Sequence, residues 1–398
     1  MNFDIKGKIW IDKKGTELLK EKSTMVLFNK HIKNRDEGIK KGDIVVIHDK
    51  KSGELLGTGI YERVGNLGVR ILTFGNRIFS KDLVIRRLKN AKLVREKLGF
   101  KDSYRWINSA SDRFSGLIID KYNDIVVIQS SSIGMDNLLE MIANIIREID
   151  DKVIAVYVRN DLRNRKTYNL DIWKGFIGPR DDEKEKTGIT EGDAKFLVDV
   201  KNGNKTGFYL DQRINRLELS KYAIPGSKVL DCFAYTGGFG IHALLSGSTV
   251  TFIENNATHI KNLKENIDLN QISEEYRIFN SDFWEFIRGD DNKYDIIILD
   301  PPSFISSRNE IKLGTQKYYK MNLLALKKLK KNGILISSSC SYFMDTNTLQ
   351  TIILSAAEEL SIELTRMGRV RGASPCHLID PKVPGLEYLK CYFFIRTD

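Results

Sequence analysis

Short, continuously apolar runs alternate with amphipathic stretches over the second half of the chain. Such runs are typical of buried strands in a parallel sheet that is covered on both faces. Four runs belong to this pattern, Val229–Asp231, Val250–Glu254, Ile296–Asp300 and Ile334–Ser338. Helical stretches separate them, so the sequence predicts a doubly wound α/β domain over residues 191–398.

The first 75 residues carry a different pattern, in which short alternating runs are separated by turns. Residues 43–48 and 68–72 are typical of half-buried strands, and Asp49–Gly53 connects two apolar runs as a hairpin would. These features predict a small β-domain over residues 1–75.

Residues 76–190 mix helical and strand patterns and predict a compact α+β domain. Ser80 suits the N-cap of a helix over residues 80–98. The apolar stripe of this helix is expected to contain Val84, Leu88, Ala91 and Leu98. Further strand and helix patterns follow at 116–120, 125–129, 135–149 and 153–158. The charged segment 178–186 contains chain breakers and predicts a loop near the next boundary.

Composition narrows the class of protein. A chain of 398 residues with 41% hydrophobic and 29% charged residues is typical of a folded protein of two or three domains. We find no apolar run of about 20 residues that could cross a bilayer. Residues 1–6 lack the apolar core of a signal peptide, so a cytoplasmic location is predicted. The four cysteines form no CxxC pair, and neither a disulfide framework nor a metal site is predicted.

The positive charge is concentrated in the first quarter of the chain. Residues 1–100 contain 23 Lys and Arg against 12 Asp and Glu, whereas the remaining chain contains 40 of each class. This asymmetry is typical of an N-terminal module that docks a polyanion such as RNA. A lysine-rich solvated surface is the alternative, and charge alone does not separate the two.

A glycine-rich turn, Asp231–Gly240, follows the first strand of the α/β domain and leads into a helix. Gly237 and Gly238 would let a ligand approach the backbone at the helix N-terminus. The next strand ends at Glu254, whose carboxylate could accept hydrogen bonds from both ribose hydroxyls. Asp231 suits the cationic S-adenosylmethionine and would hinder phosphate binding, and the spacing is not GxGxxG. The methyl donor is therefore favoured over a nicotinamide, and a tight turn without a ligand is the alternative.

A second acidic position follows a later strand pattern, at Asn280–Phe283. Asp282 could accept a hydrogen bond from the adenine amino group, with Phe283 against the ring. Aspartate is also common at helix caps, and this alternative stays open.

Two strands of the α/β domain end at groups that can act on a nucleobase. One leads into Asp300-Pro301-Pro302-Ser303-Phe304 and the other into Ser339-Cys340-Ser341. Ligands lie outside the carboxyl ends of parallel strands, so Asp300 and Cys340 could face one substrate. A thiol beside a carboxylate suggests methylation of a pyrimidine ring carbon. Addition of the thiolate at C6 makes C5 nucleophilic, and loss of the C5 proton then releases the enzyme.

Neither amine methylation nor simple burial of the thiol suits these two strand ends. Methyltransferases of exocyclic amines place an aromatic residue directly after the second proline, and here Ser303 intervenes. A lone cysteine after a strand is more often a small buried hydrophobe, but the serine-rich flank of Cys340 argues against that role. Cys232 lies inside the cofactor loop and is expected to be structural. Asp300 could hydrogen-bond cytosine N3 in its protonated form, or it could help to stabilise the adduct.

Taken together, these motifs resemble a known family. Residues 42–47 and 57–61 look like parts of a PUA domain, an RNA-binding pseudo-barrel. Four further motifs occur in the order Lys205–Arg213, Asp231–Gly240, Asp300–Phe304 and Ser339–Ser341. In this order they closely resemble bacterial large-subunit rRNA 5-methylcytosine methyltransferases. Those proteins combine a PUA domain, a small central domain and a class I, Rossmann-like methyltransferase domain.

The resemblance implies roles for individual residues and partners. It implies Cys340 as the nucleophile with Asp300 as its catalytic neighbour, S-adenosylmethionine as the cofactor, and RNA, specifically 23S rRNA, as the substrate. A homodimer is compatible with it. The implied cofactor site contains Gln212, Asp231, Phe233, Tyr235, Thr236, Gly237, Gly238, Glu254, Asn255, Asp282, Phe283 and Asp300. The segment Ala110–Leu117 departs from the family's acidic, proline-containing version, which leaves the role of that loop and the exact target open.

Three rival functions fit the sequence less well. An NAD-linked oxidoreductase is disfavoured by Asp231 and by the paired strand ends. A non-catalytic RNA-binding protein with a degenerate methyltransferase domain is disfavoured by the intact motifs. An RNA base N-methyltransferase is disfavoured by Ser303.

Overall fold

A computed structural model of the protein describes residues 3–178, 184–383 and 385–398. The described residues form two compact units that interleave along the chain. The first unit contains Met1–Thr187, Val198–Leu210 and Pro375–Leu386, and the second contains Gly188–Leu197, Asp211–Ser374 and Glu387–Asp398. Most of the loop predicted at 178–186 lies outside the described residues. The boundary predicted at residue 190 stays a prediction.

The N-terminal part of the first unit is a six-stranded sheet with one helix. Its elements are β1 (Lys8–Ile11), α1 (Lys13–Lys20), β2 (Val26–Phe28), β3 (Ile32–Arg35), β4 (Ile44–Asp49), β5 (Leu55–Val64) and β6 (Leu67–Ile71). The strand order is β2-β6-β5-β4-β1-β3, in which only the β1–β4 pair is parallel among the described strands. The predicted hairpin joins β4 to β5. Gly57 has a φ of +144°, and a Cβ there would lie 2.1 Å from the carbonyl oxygen of Thr73, so glycine is required.

The remainder of the first unit packs helices against a five-stranded sheet of order β11-β10-β9-β8-β7. Its elements are α2 (Lys81–Lys97), β7 (Ser103–Asn108), β8 (Leu117–Tyr122), β9 (Ile125–Ser130), α3 (Ile133–Asp136), α4 (Leu139–Ile149), β10 (Ala155–Asn160), α5 (Arg163–Thr167) and β11 (Trp173–Phe176). The predicted helix 80–98 is confirmed, and the Ser80 hydroxyl caps it by accepting from the amide of Leu83. The helix predicted at 135–149 is instead two helices, α3 and α4.

One predicted member of the α2 stripe is wrong. Leu98 is 48% exposed, whereas Val84, Leu88 and Ala91 are buried. Leu98 is the C-cap residue and has left the helical conformation, so the helical period no longer places its side chain over the core. The buried position in the last turn belongs to Arg95.

The second unit is built on a seven-stranded sheet whose strands alternate with helices along the chain. After the two-stranded ribbon β12 (Lys186–Glu191) and β13 (Ala194–Asp199), its elements are α6 (Arg213–Leu219), β14 (Lys228–Cys232), α7 (Gly238–Leu245), β15 (Thr249–Glu254), α8 (Ala257–Leu269), β16 (Tyr276–Asn280), α9 (Phe283–Gly289), β17 (Tyr294–Leu299), α10 (Ile311–Leu326), β18 (Leu329–Ser339), α11 (Thr346–Glu359), β19 (Leu364–Arg366) and β20 (Lys390–Arg396). Short 3-10 helices lie at Asn29–His31, Ser109–Asp112, Leu210–Gln212 and Arg308–Glu310.

The order of the strands in this sheet is β16-β15-β14-β17-β18-β20-β19. The first five are parallel, and β20 inserts antiparallel between β18 and β19. The four predicted parallel strands are therefore confirmed. The order reverses between β14 and β17, which is where open α/β sheets bind their ligands. No helix in the described part of the chain is long and apolar enough to span a membrane.

Candidate active site

Asp231 lies near the carboxyl end of β14, at the point where the strand order reverses. It is 2% exposed, and its Oδ2 accepts a hydrogen bond of 2.8 Å from the amide of Gly240. Burial raises the pKa of Asp231 to about 7, and the nearby carboxylates of Asp300 and Glu254 act in the same direction. A buried carboxyl group among other acids gains from a bound cation, which would favour its ionised form.

The turn after β14 holds its backbone in a constrained conformation. Phe233 and Tyr235 have φ angles of 64° and 51°, in the left-handed region that non-glycine residues rarely adopt. Gly237 has a φ of 86°, and a Cβ there would lie 2.3 Å from Cδ1 of Leu263. Among the described residues, the buried hydroxyl of Thr236 has no hydrogen-bond partner. The turn thus presents a polar group that no described residue satisfies, immediately before α7 begins at Gly238.

Glu254, at the end of β15, orders the backbone of the turn after β14 and the start of α8. Its Oε2 accepts from the amide of Tyr235 and its Oε1 from the amide of Asn256, each at 2.9 Å. Nδ1 of His259 lies 3.3 Å from Oε1. The neighbouring Asn255 is exposed. Ribose binding by Glu254 remains a prediction, and the structure adds a positioning role for the same carboxylate.

Asp282 and Phe283 lie where α9 begins. Oδ1 of Asp282 accepts a hydrogen bond of 2.8 Å from the amide of Trp284. This oxygen therefore caps helix α9, as the alternative interpretation expected. Phe283 is buried, and its ring stacks on that of Phe233 with centroids 5.2 Å apart. The predicted adenine contact of this pair remains a prediction. The stacking contact also means that Phe283 supports the strained Phe233.

Gln212 holds Asp300, which directly follows β17. Nε2 of Gln212 donates to Oδ1 of Asp300 at 2.8 Å, and Oε1 of Gln212 accepts from Nδ2 of Asn215 at 2.5 Å. Gln212 is 2% exposed, so this amide has little freedom to turn. Asn215 was not among the predicted residues, although it lies one helical turn after Gln212 on α6.

Cys340 directly follows β18 and is half-buried, whereas Cys232, Cys376 and Cys391 are buried. Burial raises the pKa of Cys391 to about 12 and that of Cys232 well above its usual value. Those two thiols therefore stay protonated at neutral pH, which agrees with the structural role expected for Cys232. Exposure singles out Cys340 as the cysteine that a substrate can reach.

Three hydroxyl groups join the loops that carry Asp300 and Cys340. The Oγ atoms of Ser303 and Ser341 lie 2.7 Å apart, and Oγ of Ser341 lies 3.0 Å from the hydroxyl of Tyr318. Strands β17 and β18 also pair directly up to Leu299 and Ser337. The two strand ends that the sequence singled out are thus neighbours, and Ser303 is one of the links between them.

Lys390, which the sequence interpretation missed, lies beside Cys340. It opens β20 opposite Ser339 of β18 and is 6% exposed. Its ammonium donates to the carbonyl oxygens of Ser341 at 2.8 Å and Tyr388 at 3.1 Å. Burial lowers the pKa of Lys390, and its electrostatic interaction with Cys340 opposes that change. A cation beside a thiol favours the thiolate, which is the nucleophilic form. In the sequence, Lys390 stands at the start of the apolar run 390–396, and this position is the signal that could have identified it.

A buried ion network joins the helix after Gln212 to the helix of the glycine turn. Glu191 lies 3.1 Å from Nε of Arg213, 2.5 Å from Nε of Arg216 and 3.1 Å from Nε2 of His242. Although burial opposes its ionisation, Arg216 and Arg213 hold the pKa of Glu191 well below its usual value. This network fixes α6 against α7 and so positions the predicted cofactor residues on both.

Comparison with protein-family models supports both halves of this description. A model described as a PUA-like domain matches residues 9–74. A model described as Conserved hypothetical protein 95 matches residues 214–345.

Individual proteins are similar to the chain over almost its whole length. Ribosomal RNA large subunit methyltransferase I of Photobacterium profundum is 33% identical over 373 residues, covering 90% of this chain and 93% of the relative. A Methanocaldococcus jannaschii protein provisionally named ribosomal RNA large subunit methyltransferase is 33% identical over 399 residues, covering 97% and 98%. The chain belongs to this methyltransferase family. A structure described as a methyltransferase complexed with S-adenosylhomocysteine (SAH) has a TM-score of 0.81 at 20% identity, covering 98% and 99%.

Membership in the large-subunit rRNA methyltransferase family decides several of the predictions. The predicted S-adenosylmethionine-dependent class I methyltransferase fold behind a PUA-like domain is confirmed. The individual site residues remain predictions. The atypical segment Ala110–Leu117 lies in the first unit, where Asp112 forms a buried pair with Arg95 at 2.7 Å.

Proposed function

We propose that this protein transfers a methyl group from S-adenosylmethionine to C5 of a cytosine in RNA, specifically 23S rRNA, with Cys340 as the nucleophile. The observation that carries the proposal is the position of Cys340, half-buried at a strand end that hydroxyl groups join to the loop of Asp300. The similarity to ribosomal RNA large subunit methyltransferases supports ribosomal RNA as the substrate class.

The residues after β14 suit the proposed cofactor. When bound, S-adenosylmethionine supplies an electrophilic methyl group on a sulfonium cation. Asp231, whose pKa burial raises to about 7, would gain a cationic partner. The unsatisfied hydroxyl of Thr236 offers one more polar contact. Glu254 keeps the backbone of this turn in place by accepting from the amide of Tyr235, and we expect the same carboxylate to bind the ribose hydroxyls.

Four groups of this chain have roles in the proposed chemistry. The Cys340 thiolate forms a bond to C6, and Lys390 stabilises that thiolate before attack. Asp300, held by Gln212, donates a proton to cytosine N3, which takes up the electron pair displaced from the ring. C5 would then take the methyl group, and S-adenosylhomocysteine would leave. Loss of the C5 proton to a base breaks the C6–S bond, returns the thiolate and releases the N3 proton.

The decisive experiment replaces cytidine by 5-fluorocytidine in transcribed 23S rRNA. Fluorine at C5 cannot leave as a proton, so the methylated base should stay bonded to the protein and survive denaturing electrophoresis. The complex should require S-adenosylmethionine and should be absent with Cys340→Ala, which leaves cofactor and RNA binding nearly unchanged. Cys232→Ala is the matched control and should still form it.

Product analysis separates carbon from nitrogen methylation. Nucleosides from unmodified rRNA that has been treated with the protein should contain 5-methylcytidine. An N-methylated nucleoside, or an adduct mapped to another cysteine, contradicts the proposal. A cytoplasmic location and a homodimer remain predictions that this experiment does not address.

A further inference from the structure

A cleft of about 710 Å³ in the first unit is lined by five cationic side chains. These are Lys22 after α1, Arg77 between β6 and α2, Arg86 and Arg87 on α2, and Arg113 in the atypical loop. We call this set the basic cleft. Its residues come from four separate segments, so the accumulation of charge is a product of the fold.

Arg87 lines the basic cleft in an environment that opposes its charge. Burial lowers its pKa to about 9, and the positive charges of Arg113, Arg77 and Arg86 act in the same direction. Its guanidinium donates to the carbonyl oxygens of Arg113 and Leu72, and no carboxylate pairs with it among the described residues.

Contacts with aromatic rings hold the guanidinium groups of Arg87 and Arg113 in positions where they could bind an external anion. Arg87 packs against the rings of Phe79 and Phe114, with distances of 5.9 and 5.7 Å to the ring centroids. Arg113 lies 5.7 Å from the ring centroid of Phe74 and forms an ion pair of 2.7 Å with Asp380. That aspartate is the one carboxylate paired with a cleft cation in the described part of the chain. Like charges held together at this density are stabilised when an anion lies between them.

We infer that the basic cleft binds consecutive phosphates of the RNA substrate. Guanidinium groups bind phosphate oxygens in a bidentate manner, and five cations in one cleft exceed what a single phosphate can neutralise. Four of the five also belong to the positive excess of residues 1–100. The inference deepens the proposed function, on which it depends for the identity of the polyanion. It also gives a role to the atypical loop, which supplies Arg113.

The test uses the full chain with three exposed cleft residues changed together, Lys22→Gln, Arg77→Gln and Arg86→Gln. The matched control removes the same charge from exposed positions of the first unit outside the cleft, with Lys51→Gln, Lys89→Gln and Lys97→Gln. Arg87 and Arg113 are kept because their side chains also hold the fold. Binding of a labelled single-stranded RNA of mixed sequence, about 20 nucleotides long, is followed by fluorescence anisotropy from about 50 to about 300 mM KCl, without S-adenosylmethionine.

The cleft variant should bind this RNA at least about tenfold more weakly at the lowest salt concentration. Its dependence of log affinity on log salt should be shallower by about 2, since each lost phosphate contact on a single strand contributes about 0.7. The control variant should lose less than about threefold. Both variants should bind S-adenosylmethionine as tightly as the unchanged protein in calorimetry, because the predicted cofactor residues lie in the second unit.

Three results would overturn the inference in distinguishable ways. Equal losses in the two variants would mean that general charge, not the cleft, attracts RNA. Displacement of the RNA by AMP at matched ionic strength, with no effect of AMP on the cleft variant, would make the cleft a mononucleotide site. If the unchanged protein failed to bind RNA at all, the proposed function would fail as well. If only the inference about the cleft fails, the 5-fluorocytidine experiment still supports the proposed function.

Discussion

The raised pKa of Asp231 predicts how cofactor affinity changes with pH. A carboxyl group whose pKa is about 7 is only about one-tenth ionised at pH 6, and S-adenosylmethionine should bind the ionised form. The apparent dissociation constant scales inversely with the ionised fraction. It should therefore fall about eightfold between pH 6.0 and 7.5. Below pH 7.5 the α-amino group of the ligand stays mostly protonated, since such groups titrate near 7.7–8.0.

The same raised pKa also predicts that Asp231 lowers the stability of the folded protein at high pH, where cofactor binding is strongest. Raising a carboxyl pKa from 3.8 to about 7 disfavours ionisation by about 4 kcal/mol, at about 1.4 kcal/mol per pKa unit. Between pH 4 and 7 the unfolded chain loses this proton while the folded chain keeps it. The contribution of Asp231 to stability therefore falls as pH rises through that range and stays at its lowest above pH 7.

Asp231→Asn separates the two effects. Without cofactor, its thermal midpoint should exceed that of the unchanged protein only slightly near pH 4 and by much more at pH 8. Its affinity for S-adenosylmethionine should be lower and nearly independent of pH between 6.0 and 7.5. Isothermal calorimetry and thermal scans over this range measure both quantities. Equal affinity of the unchanged protein at both pH values, or a retained pH dependence in the variant, would refute the assignment of Asp231.

Three further predictions concern neighbouring groups. Lys390→Met should slow alkylation of Cys340 by iodoacetamide at pH 7.5 several-fold, and Lys390→Arg should restore part of the rate; equal rates in all three proteins would remove Lys390 from the thiolate's surroundings. Glu254→Ala should weaken S-adenosylmethionine binding at least tenfold, since charge-assisted hydrogen bonds contribute about 1.5–3 kcal/mol each, and unchanged calorimetric affinity would exclude Glu254. Ser303→Ala removes the link to Ser341 and should lower kcat with little change in KM for RNA, whereas a change in KM alone would contradict a positioning role.

Much of the second unit could be predicted from the sequence because its signals are local. Continuously apolar runs report burial on both faces of a sheet, and the four predicted parallel strands are present. Residues placed at the carboxyl ends of those strands meet at one edge, so Asp231, Asp300 and Cys340 were found without any knowledge of tertiary contacts. The N-cap at Ser80 is equally local, since its partner is three residues away.

Local patterns failed where a residue left its regular element or where one pattern covered two. Leu98 continued the helical spacing of α2 in the sequence but lies just past its end. The stretch 135–149 looked like one helix and forms two. The boundary near residue 190 stays a prediction, and residues 198–210 and 375–386 belong to the first unit although they follow it in the chain. The order of the elements along the chain cannot reveal that a later segment packs with an earlier unit.

The sequence alone determined the strands, the glycine turn and the acid and thiol at the strand ends, since each depends on residues a few positions apart. Only the tertiary structure decided what surrounds them. Lys390 comes close enough to interact electrostatically with Cys340 because β20 inserts antiparallel beside β18, a pairing across about 50 residues. The basic cleft likewise joins cations from four segments, including Arg87 and Arg113. Charges and hydroxyl groups leave no periodic trace in a sequence, so their partners become visible only when the backbone brings distant segments together.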